Sequence, residues 1–589
     1  MRILFDSKAT EYKTPFGCIT PEEPCILRIR IPVTVAAKKV RIVMERENGQ
    51  RYEEWTMEKE ATEGPYDLFR GCFTIPEPGL YFYYFHIAQE GNTFRLFKYG
   101  DDTNMEEGGK WQLSCIPADF TTPDWAKGAV IYQIFPDRFA KSGHCDLSKK
   151  ATPYMLHSHW DEEVCWQPNE KGEVLNNDFF GGNFRGIAEK MDYIASFGTN
   201  ILYLNPISKS FSSHRYDTGD YKTPDPMLGT EADFKALCDA AHARGIRVVL
   251  DGVYSHTGAD SLYFNKYGSY GSGGAYRDPG SPYYSWYRFE AYPDRYDSWW
   301  GFKTLPTVNK MDPAFIRYII TDPNSVVAHW LSLGADGFRL DVADELPDAF
   351  IKLLKDRIRG IKPDALLMGE VWEDASNKIS YDTRRRYFVD GALDSIMNYP
   401  FRTAILDFVR GADAGRQLRQ TVMTLAENYP AQVLCCNMNL LGTHDTPRIL
   451  TALVDDFDGS REALAQRSLS DQQRQLAKKR LALASFLQFT LPGSPSIYYG
   501  DEAGMEGGKD PFNRRPYPWG KEDPTLIDLF RQLGQLRRRY PALRLGDIRF
   551  TQAESGTIRF LRSYQEQTLE IFADQNTGVY TLTEVSHGR

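Results

Sequence analysis

The chain reads as an α/β protein built on a closed parallel (β/α)8 TIM barrel. A β-sandwich precedes the barrel, a subdomain is inserted after its third strand, and a short β domain follows it. Three observations predict this. Eight short apolar runs recur between residues 130 and 500, amphipathic helical stretches separate most of them, and acids stand at the ends of several runs. At 589 residues the chain exceeds one ordinary domain, but a barrel with insertions takes from about 250 to more than 400.

Residues 1–120 carry short alternating runs, such as P-C-I-L-R-I-R-I-P-V and G-L-Y-F-Y-Y-F-H-I, broken by Pro, Gly and acidic turns. Alternation with period two suits strands that bury one face, hence a small sandwich. A linker at 121–128 leads into the barrel, which spans 125–544. Its strands are expected at 130–135, 201–206, 246–251, 336–341, 365–370, 393–398, 436–442 and 496–500. Helices are expected at 184–197, 231–244, 346–360 and 471–489. The stretch from about 252 to 312 is too long for a plain strand-to-helix connection and rich in Gly, Tyr, Trp and Ser, so it reads as the inserted subdomain. From 545 to 589 strand-like runs return (T-I-R-F-L-R, T-L-E-I-F-A), a small β domain.

A net charge of −9, with both signs mixed throughout, argues against nucleic acid or an anionic membrane as partner. The Arg-rich stretch near 532–540 reads as the solvated face of one helix. M-R-I-L-F-D-S-K lacks the apolar stretch of a secretory leader, and no apolar run is long enough to span a bilayer. Nine cysteines at irregular spacing, without a C-x-x-C pair, suit reduced thiols in a cytoplasmic protein and give no metal ligand set. Cys435 and Cys436, adjacent on an expected strand, should point to opposite faces.

Three segments carry the chemistry. G-F-R-L-D (337–341), G-E-V-W (369–372) and L-G-T-H-D-T (441–446) each deliver an acid past a short apolar run: Asp341, Glu370 and Asp445. Barrel enzymes work at the C-terminal ends of their strands, and Asp251 stands at another such end. One acid there is ordinarily a cap or a salt-bridge partner. Three in succession, with Arg339 two residues before the first and His444 just before the last, are harder to explain as structure, because buried charge is costly unless paired or used. Two carboxylates with different proton affinities are what retaining glycosidic-bond cleavage needs. Arg339 and Asp341 share a strand face at i and i+2, and a neighbouring cation favours an ionised Asp341.

These segments, with D-G-V-Y-S-H (251–256), resemble the four ordered motifs of the α-amylase superfamily, glycoside hydrolase family thirteen. More narrowly they resemble its neopullulanase, cyclomaltodextrinase and maltogenic amylase group. I-Y-Q-I-F-P-D-R-F, F-F-G-G-N-F-R-G-I, H-R-Y-D-T-G-D-Y, L-P-T-V-N, M-N-Y-P-F and P-G-S-P-S-I-Y-Y-G-D-E-A-G-M extend the likeness from about 129 to 520. The resemblance implies Asp341 as nucleophile, Glu370 as general acid/base and Asp445 as transition-state stabiliser. Glu370 then has to carry a proton at neutral pH, which burial or the charge of Asp341 favours. His256 and His444 are implied donors to sugar hydroxyls, Asp251 the residue that orients them, and Tyr216 a stacking platform. Glu345 and Trp372 resemble acceptor-side positions, although Glu345 also suits a helix N-terminus. Trp299 and Trp300, with Phe302, read either as sugar platforms or as the core of the insertion.

The implied activity is hydrolysis of α-1,4, and by extension α-1,6, bonds of cyclodextrins, pullulan and maltodextrins in the cytoplasm, by a homodimer formed through the N-terminal domain. No cofactor is required. The family's calcium is not expected either: A-K-S-G-H-C-D (140–146) lacks the Asn/Asp-rich run that holds it, Asn183 stands where an acid is usual, and calcium wants six to eight oxygens. Ser255 replaces a usual Asn, and Thr307-Val308-Asn309 departs from Lys-Leu-Asn. A transglycosylase or isomerase shares the same intermediate, and a non-catalytic glucan-binding protein shares the fold. The three acids argue against the latter.

Overall fold

The computed structural model describes residues 2–456 and 458–585. Residues 131–498 hold an eight-stranded parallel barrel. The strands, numbered within the barrel, are β1 (Ile131–Ile134), β2 (Ile201–Leu204), β3 (Arg247–Gly252), β4 (Gly337–Leu340), β5 (Leu366–Gly369), β6 (Ser395–Ile396), β7 (Met438–Leu440) and β8 (Ser494–Tyr498). They pair in the order β6-β5-β4-β3-β2-β1-β8-β7. A parallel bridge between Met397 and Met438 joins the two ends, and Asn398 N donates to Met438 O at 2.9 Å across that seam.

The strands are apolar because helices cover their outer face while other strands crowd their inner face. Ile131, Ile201, Tyr203, Val249, Leu366, Met368, Met438 and Leu440 belong to one buried cluster that fills the barrel. Two expectations shift here. The sixth strand keeps only two residues, since only Ser395 and Ile396 pair in its ladder with β5. Cys435 and Cys436 end a helix, Ala431–Cys436, instead of alternating on a strand. Pro430 starts that helix, its carbonyl accepting from Val433 N and Leu434 N.

The helices follow their sequence signals. The first splits at Lys190 into Phe184–Glu189 and Met191–Ser196, with Asn183 capping the first half. Glu231–His242 and Asp471–Thr490 open on capping boxes, Thr230 with Asp233 and Ser470 with Gln473. Asp348–Ile361 buries Phe350, Ile351, Leu354 and Ile358, the i, i+3, i+4 spacing of one face. Helix Pro524–Arg539 corrects the reading of the Arg-rich stretch as a solvated face. Arg537 is buried and donates to the carbonyls of Gly128, Phe489 and Gly493. Those acceptors lie far away in sequence, so no local pattern announces them.

The segment between β3 and β4 is the inserted region. It carries a short hairpin, Phe289–Ala291 against Arg295–Tyr296, and its aromatic core is Trp286 packed with Tyr263 and Phe315. A four-stranded antiparallel sheet, Asp547–Glu554, Thr557–Tyr564, Gln567–Asp574 and Tyr580–Glu584, ends the described chain.

The chain divides into two compact units. One comprises Met1–Thr121 with Glu373–Leu393 and Gln417–Leu434, and the other holds the rest. In the first, antiparallel strands form one sheet path that folds over along the long strand Arg51–Glu63. The first part of that strand pairs with Lys39–Arg46 and the second with Tyr66–Phe73. The two halves meet face to face. A Cβ on Gly71 would lie 2.7 Å from Ile42 Cδ1, so the sheets approach closely there, and Ile29, Ile31, Phe69, Ile42, Tyr83 and Phe85 share one core.

Candidate active site

Arg339 is the hub of the barrel mouth. It sits on β4 with no solvent exposure, and its Nη1 donates to Asp251 Oδ1 at 2.8 Å and to Asp341 Oδ1 at 3.1 Å. Its Nη2 forms an ion pair with Glu370 Oε2 at 2.8 Å, while Nε faces Met397 Sδ at 3.3 Å. Asp251 ends β3, Asp341 follows β4 and Glu370 follows β5, so three adjacent strands deliver three carboxylates to one guanidinium.

Glu370 has two further donors. Val342 N reaches Oε2 at 2.8 Å and Trp372 Nε1 reaches Oε1 at 3.0 Å. Val342 is held at φ 36°, a left-handed conformation costly for a β-branched residue. The turn that aims its amide at Glu370 therefore stores strain beside the acids.

Asp445 approaches from the loop after β7. Gly442 packs against Asp501 there, and a Cβ would lie 2.2 Å from Asp501 Oδ2 and displace that carboxylate. Arg514 Nη2 lies 3.5 Å from Asp445 Oδ1, and His444 Nε2 lies 3.0 Å from Asp445 Oδ2. Gln133 Nε2 meets His444 Nδ1 at 3.0 Å. With Nδ1 accepting, the ring proton belongs on Nε2, which also faces Tyr216 Oη at 2.6 Å. Burial, with Arg339 and Arg514 nearby, drives the His444 pKa well below its ordinary value, so the ring is neutral.

Tyr216 lies parallel to His444, ring centroids 5.3 Å apart. Its hydroxyl donates to Asp251 Oδ2 at 2.8 Å, beside Tyr203 Oη at 2.7 Å. His256 is buried and turned inward, Nε2 on Tyr216 O at 3.0 Å and Nδ1 on Ser255 Oγ at 2.9 Å. Its ring neighbours Trp299 at 5.3 Å. Burial lowers its pKa to about 4.

Trp299 stacks on Trp300 at 4.5 Å, and Trp300 is 69% exposed. Trp300 thus lies at the surface, while Trp299 beneath it is half-buried beside His256. Trp300 Nε1 donates to Glu345 Oε1 at 3.1 Å. Trp372 stacks on Tyr399 at 3.9 Å and keeps 45% of its surface exposed.

The electrostatics depart from the simplest expectation. Arg339 pulls Asp341 downward, but burial outweighs it, and the charges of Glu370, Asp251 and Asp445 add to the rise. Burial likewise raises Asp251 against Arg339, and pushes Asp445 up to about 7, with Glu370 contributing. Carboxylates this close titrate as a set, and burial with mutual repulsion raises the proton affinity of its members. Raised and unequal proton affinities in neighbouring carboxyls suit acid/base chemistry.

The structure therefore brings together Asp251, Asp341, Glu370, Asp445, Arg339, His444 and Tyr216, and places Trp372 against Glu370. His256 joins through Tyr216 and Trp299. Glu345 and Trp300 bond to each other. Sequence reasoning missed Gln133, Tyr203 and Arg514. Gln133 and Tyr203 left a signal, each a polar group inside an apolar strand, while Arg514 left none. At Asn183, Oδ1 accepts from Gly186 N and Ser142 N, and Nδ2 donates to Ser142 O. These oxygens already face N–H donors.

Comparison with known proteins gives the family. Residues 133–580 match the family model described as "Alpha amylase, catalytic domain". The chain is 37% identical over 616 residues to amylopullulanase of Thermoanaerobacter thermohydrosulfuricus, covering 94% of this chain and 40% of that protein. It is 30% identical to neopullulanase 2 of Thermoactinomyces vulgaris over 86% of this chain and 80% of that one. Among solved structures, the type III pullulan hydrolase from Thermococcus kodakarensis superposes with TM-score 0.68 at 27% identity, covering 98% of this chain and 94% of that chain. The chain spans less than half the length of the amylopullulanases it matches. With the motifs, the barrel and the match over most of its length in agreement, the chain belongs to the α-amylase catalytic-domain family.

Proposed function

We propose that this protein is a retaining α-glucan hydrolase that cleaves α-1,4, and by extension α-1,6, bonds of cyclodextrins, pullulan and maltodextrins. The observation that carries the reading is the single buried guanidinium of Arg339 touching both Asp341 and Glu370. A nucleophile and an acid/base for a covalent glycosyl intermediate need carboxyls about 5–5.5 Å apart, and a shared guanidinium is a clamp of that scale.

Asp341 is the nucleophile. Glu370 protonates the departing glycosidic oxygen and then activates water. Asp445, with Arg514 and His444 on its two oxygens, holds hydroxyls of the distorting sugar. Val342 N and Arg339 occupy Oε2 of Glu370 while Oε1 meets only Trp372 Nε1, so Oε1 keeps a lone pair for the proton that the departing oxygen receives. Asp251, Tyr203 and Arg339 form the base of the first subsite, Tyr216 its floor, and His444 and His256 its neutral donors, His256 after release from Tyr216 O. Trp299 and Trp300, fixed by Glu345, offer faces to the outer glucose units.

The chemistry as proposed draws its proton and its nucleophile from the chain, so no cofactor is required and calcium has no part. The likeness to amylopullulanase and neopullulanase 2 supports the substrate class. All nine cysteines are free, which supports a reducing cytoplasm. No helix among the described residues is long and apolar enough to cross a membrane. The net charge of −9 supports a sugar, not nucleic acid, as partner. A homodimer through the N-terminal domain completes the reading, to be tested by light scattering on the intact chain and on one lacking that domain.

Exposed Trp372 favours a second outcome, transfer of the glycosyl group to a sugar instead of water. Incubation with β-cyclodextrin, pullulan and soluble starch separates the cases, with Asp341→Asn as control. Maltose, glucose or panose, lost in the variant, establishes the hydrolase. Longer oligosaccharides alone indicate the transferase, and no release from any substrate sinks the proposal.

A further inference from the structure

Away from the acids, three separated segments converge on one point. His157, Cys165 and Asp178 offer nitrogen, sulfur and oxygen ligand atoms that all lie within 4.8 Å of one another. His157 and Asp178 are buried while Cys165 is exposed, and Met155 Sδ lies 4.0 Å from Cys165 Sγ. We propose that His157, Cys165 and Asp178 form a binding site for one borderline-soft divalent cation, zinc foremost.

Four features support it beyond proximity. The first is the orientation of the imidazole. His157 Nδ1 faces Glu162 Oε2 at 2.7 Å while Nε2 points at Asp178 Oδ2, 3.2 Å away. A metal-bound histidine characteristically gives its other ring N–H to a carboxylate, which fixes the tautomer and leaves the second nitrogen's lone pair for the metal. Glu162 is placed for that task.

The second is charge. Arg138 Nη2 lies 3.4 Å from Asp178 Oδ2, which by itself opposes a cation. Asp137 answers it, paired with Arg138 Nε at 2.7 Å and fully buried. With that pair neutral, the Asp178 carboxylate, the Glu162 carboxylate and the Cys165 thiolate leave room for two positive charges. Binding releases the thiol proton of Cys165 and any proton on His157 Nε2 to solvent.

The third is the donor set. One sulfur, one imidazole nitrogen and one carboxylate oxygen suit zinc, with a water in the fourth position, and do not suit calcium or magnesium, which take oxygen. About 2.3 Å to sulfur and about 2.0 Å to nitrogen or oxygen span at most ~4.3 Å, so the side chains draw together slightly on binding. The fourth is access: Met155, Cys165 and Asp178 line one open cleft of about 440 Å³.

The cation would tie the loop around Cys165 to Asp178, just before F-F-G-G-N. Arg138 joins Asp178 to the cleft rim, donating to Arg514 O at 3.0 Å and Ser213 Oγ at 3.2 Å. The site is structural in character, and its bonds brace the rim where Arg514 meets Asp445.

Cobalt(II) is the probe. The intact protein is stripped with chelator, dialysed and titrated with cobalt, then with zinc as competitor. We expect about one cobalt per chain, a thiolate-to-cobalt charge-transfer band in the near ultraviolet, and its loss as zinc is added. Cys165→Ser should abolish the band and His157→Gln should weaken cobalt binding at least tenfold. Cys72→Ser, at another exposed thiol, should leave both unchanged. Zinc should raise the Tm of the wild type but not of Cys165→Ser, whose metal-free Tm should equal the wild type's. No band in the wild type, or a band that survives Cys165→Ser, overturns the proposal.

Discussion

The two ends of the barrel use the same residue types in opposite proportion. At the mouth, Asp251, Asp341 and Glu370 share the one guanidinium of Arg339. At the floor, cations outnumber acids. Asp336, just before β4, meets Arg247 and Lys362 and also accepts Val248 N at 2.7 Å. Asp394, just before β6, meets Lys355 and Arg359 and accepts Leu367 N at 2.9 Å. Burial opposes ionisation of Asp336, yet Lys362, the Val248 amide and His242 together hold its pKa below the ordinary value, whereas burial carries Asp341 and Asp445 up. Charge is neutralised where the barrel needs stability and left in surplus where it needs reactivity, as expected of a fold whose chemistry sits at one face.

The largest effect expected from this contrast is catalytic. Asp341→Asn or Glu370→Gln should lower kcat on the order of 10⁴-fold, with a Tm equal to or above wild type because surplus negative charge is removed. A Tm that falls by many degrees would blur the contrast. Next is the floor. Asp336→Asn removes a charge that Lys362 and Arg247 share, although Arg247 keeps Asp364 at 3.5 Å, and should cost about 3 kcal/mol of stability by denaturant unfolding, while kcat stays within about twofold where the protein is folded.

The mouth's neutral histidines give a smaller effect with a definite sign. The His256 pKa, about 4 in the folded protein, lies below its unfolded value near 6.5. Its contribution is therefore complete above about pH 6.5 and is lost as pH falls toward 4. Between pH 6.5 and 5 it amounts to about 2 kcal/mol. Acids with raised pKa values run the other way, so the readout is the difference between wild type and His256→Gln, which should shrink by that amount over the interval. The smallest effect belongs to the platform. Trp300→Ala should raise KM for long glucans about fivefold, near 1 kcal/mol, and leave kcat nearly unchanged; a purely structural Trp300 would lower Tm instead.

Much of this was legible because strand-end acids break apolar runs. Asp341, Glu370 and Asp445 each follow such a run, and the barrel strands were visible as runs between amphipathic stretches. What escaped was set by partners distant in sequence. Arg537 reads as one of several solvated arginines until the carbonyls of Gly128, Phe489 and Gly493 close around it. Cys435 and Cys436 lie in a short apolar run that suits helix or strand, and only the fold decides. His157, Cys165 and Asp178 have no spacing signature, since a loop and a strand bring them together. Nor does the sequence weigh burial against Arg339 at Asp341, because that balance depends on how fully water is excluded.

The most direct test of the central claim is to trap the covalent intermediate. In Glu370→Gln, an activated maltosyl fluoride needs no acid to depart, but the missing base slows hydrolysis of the glycosyl-enzyme, which should accumulate. Peptide mass spectrometry should then find one maltosyl group on the peptide containing Asp341. A group on the Asp445 peptide, or turnover with no adduct at any time, would contradict the account.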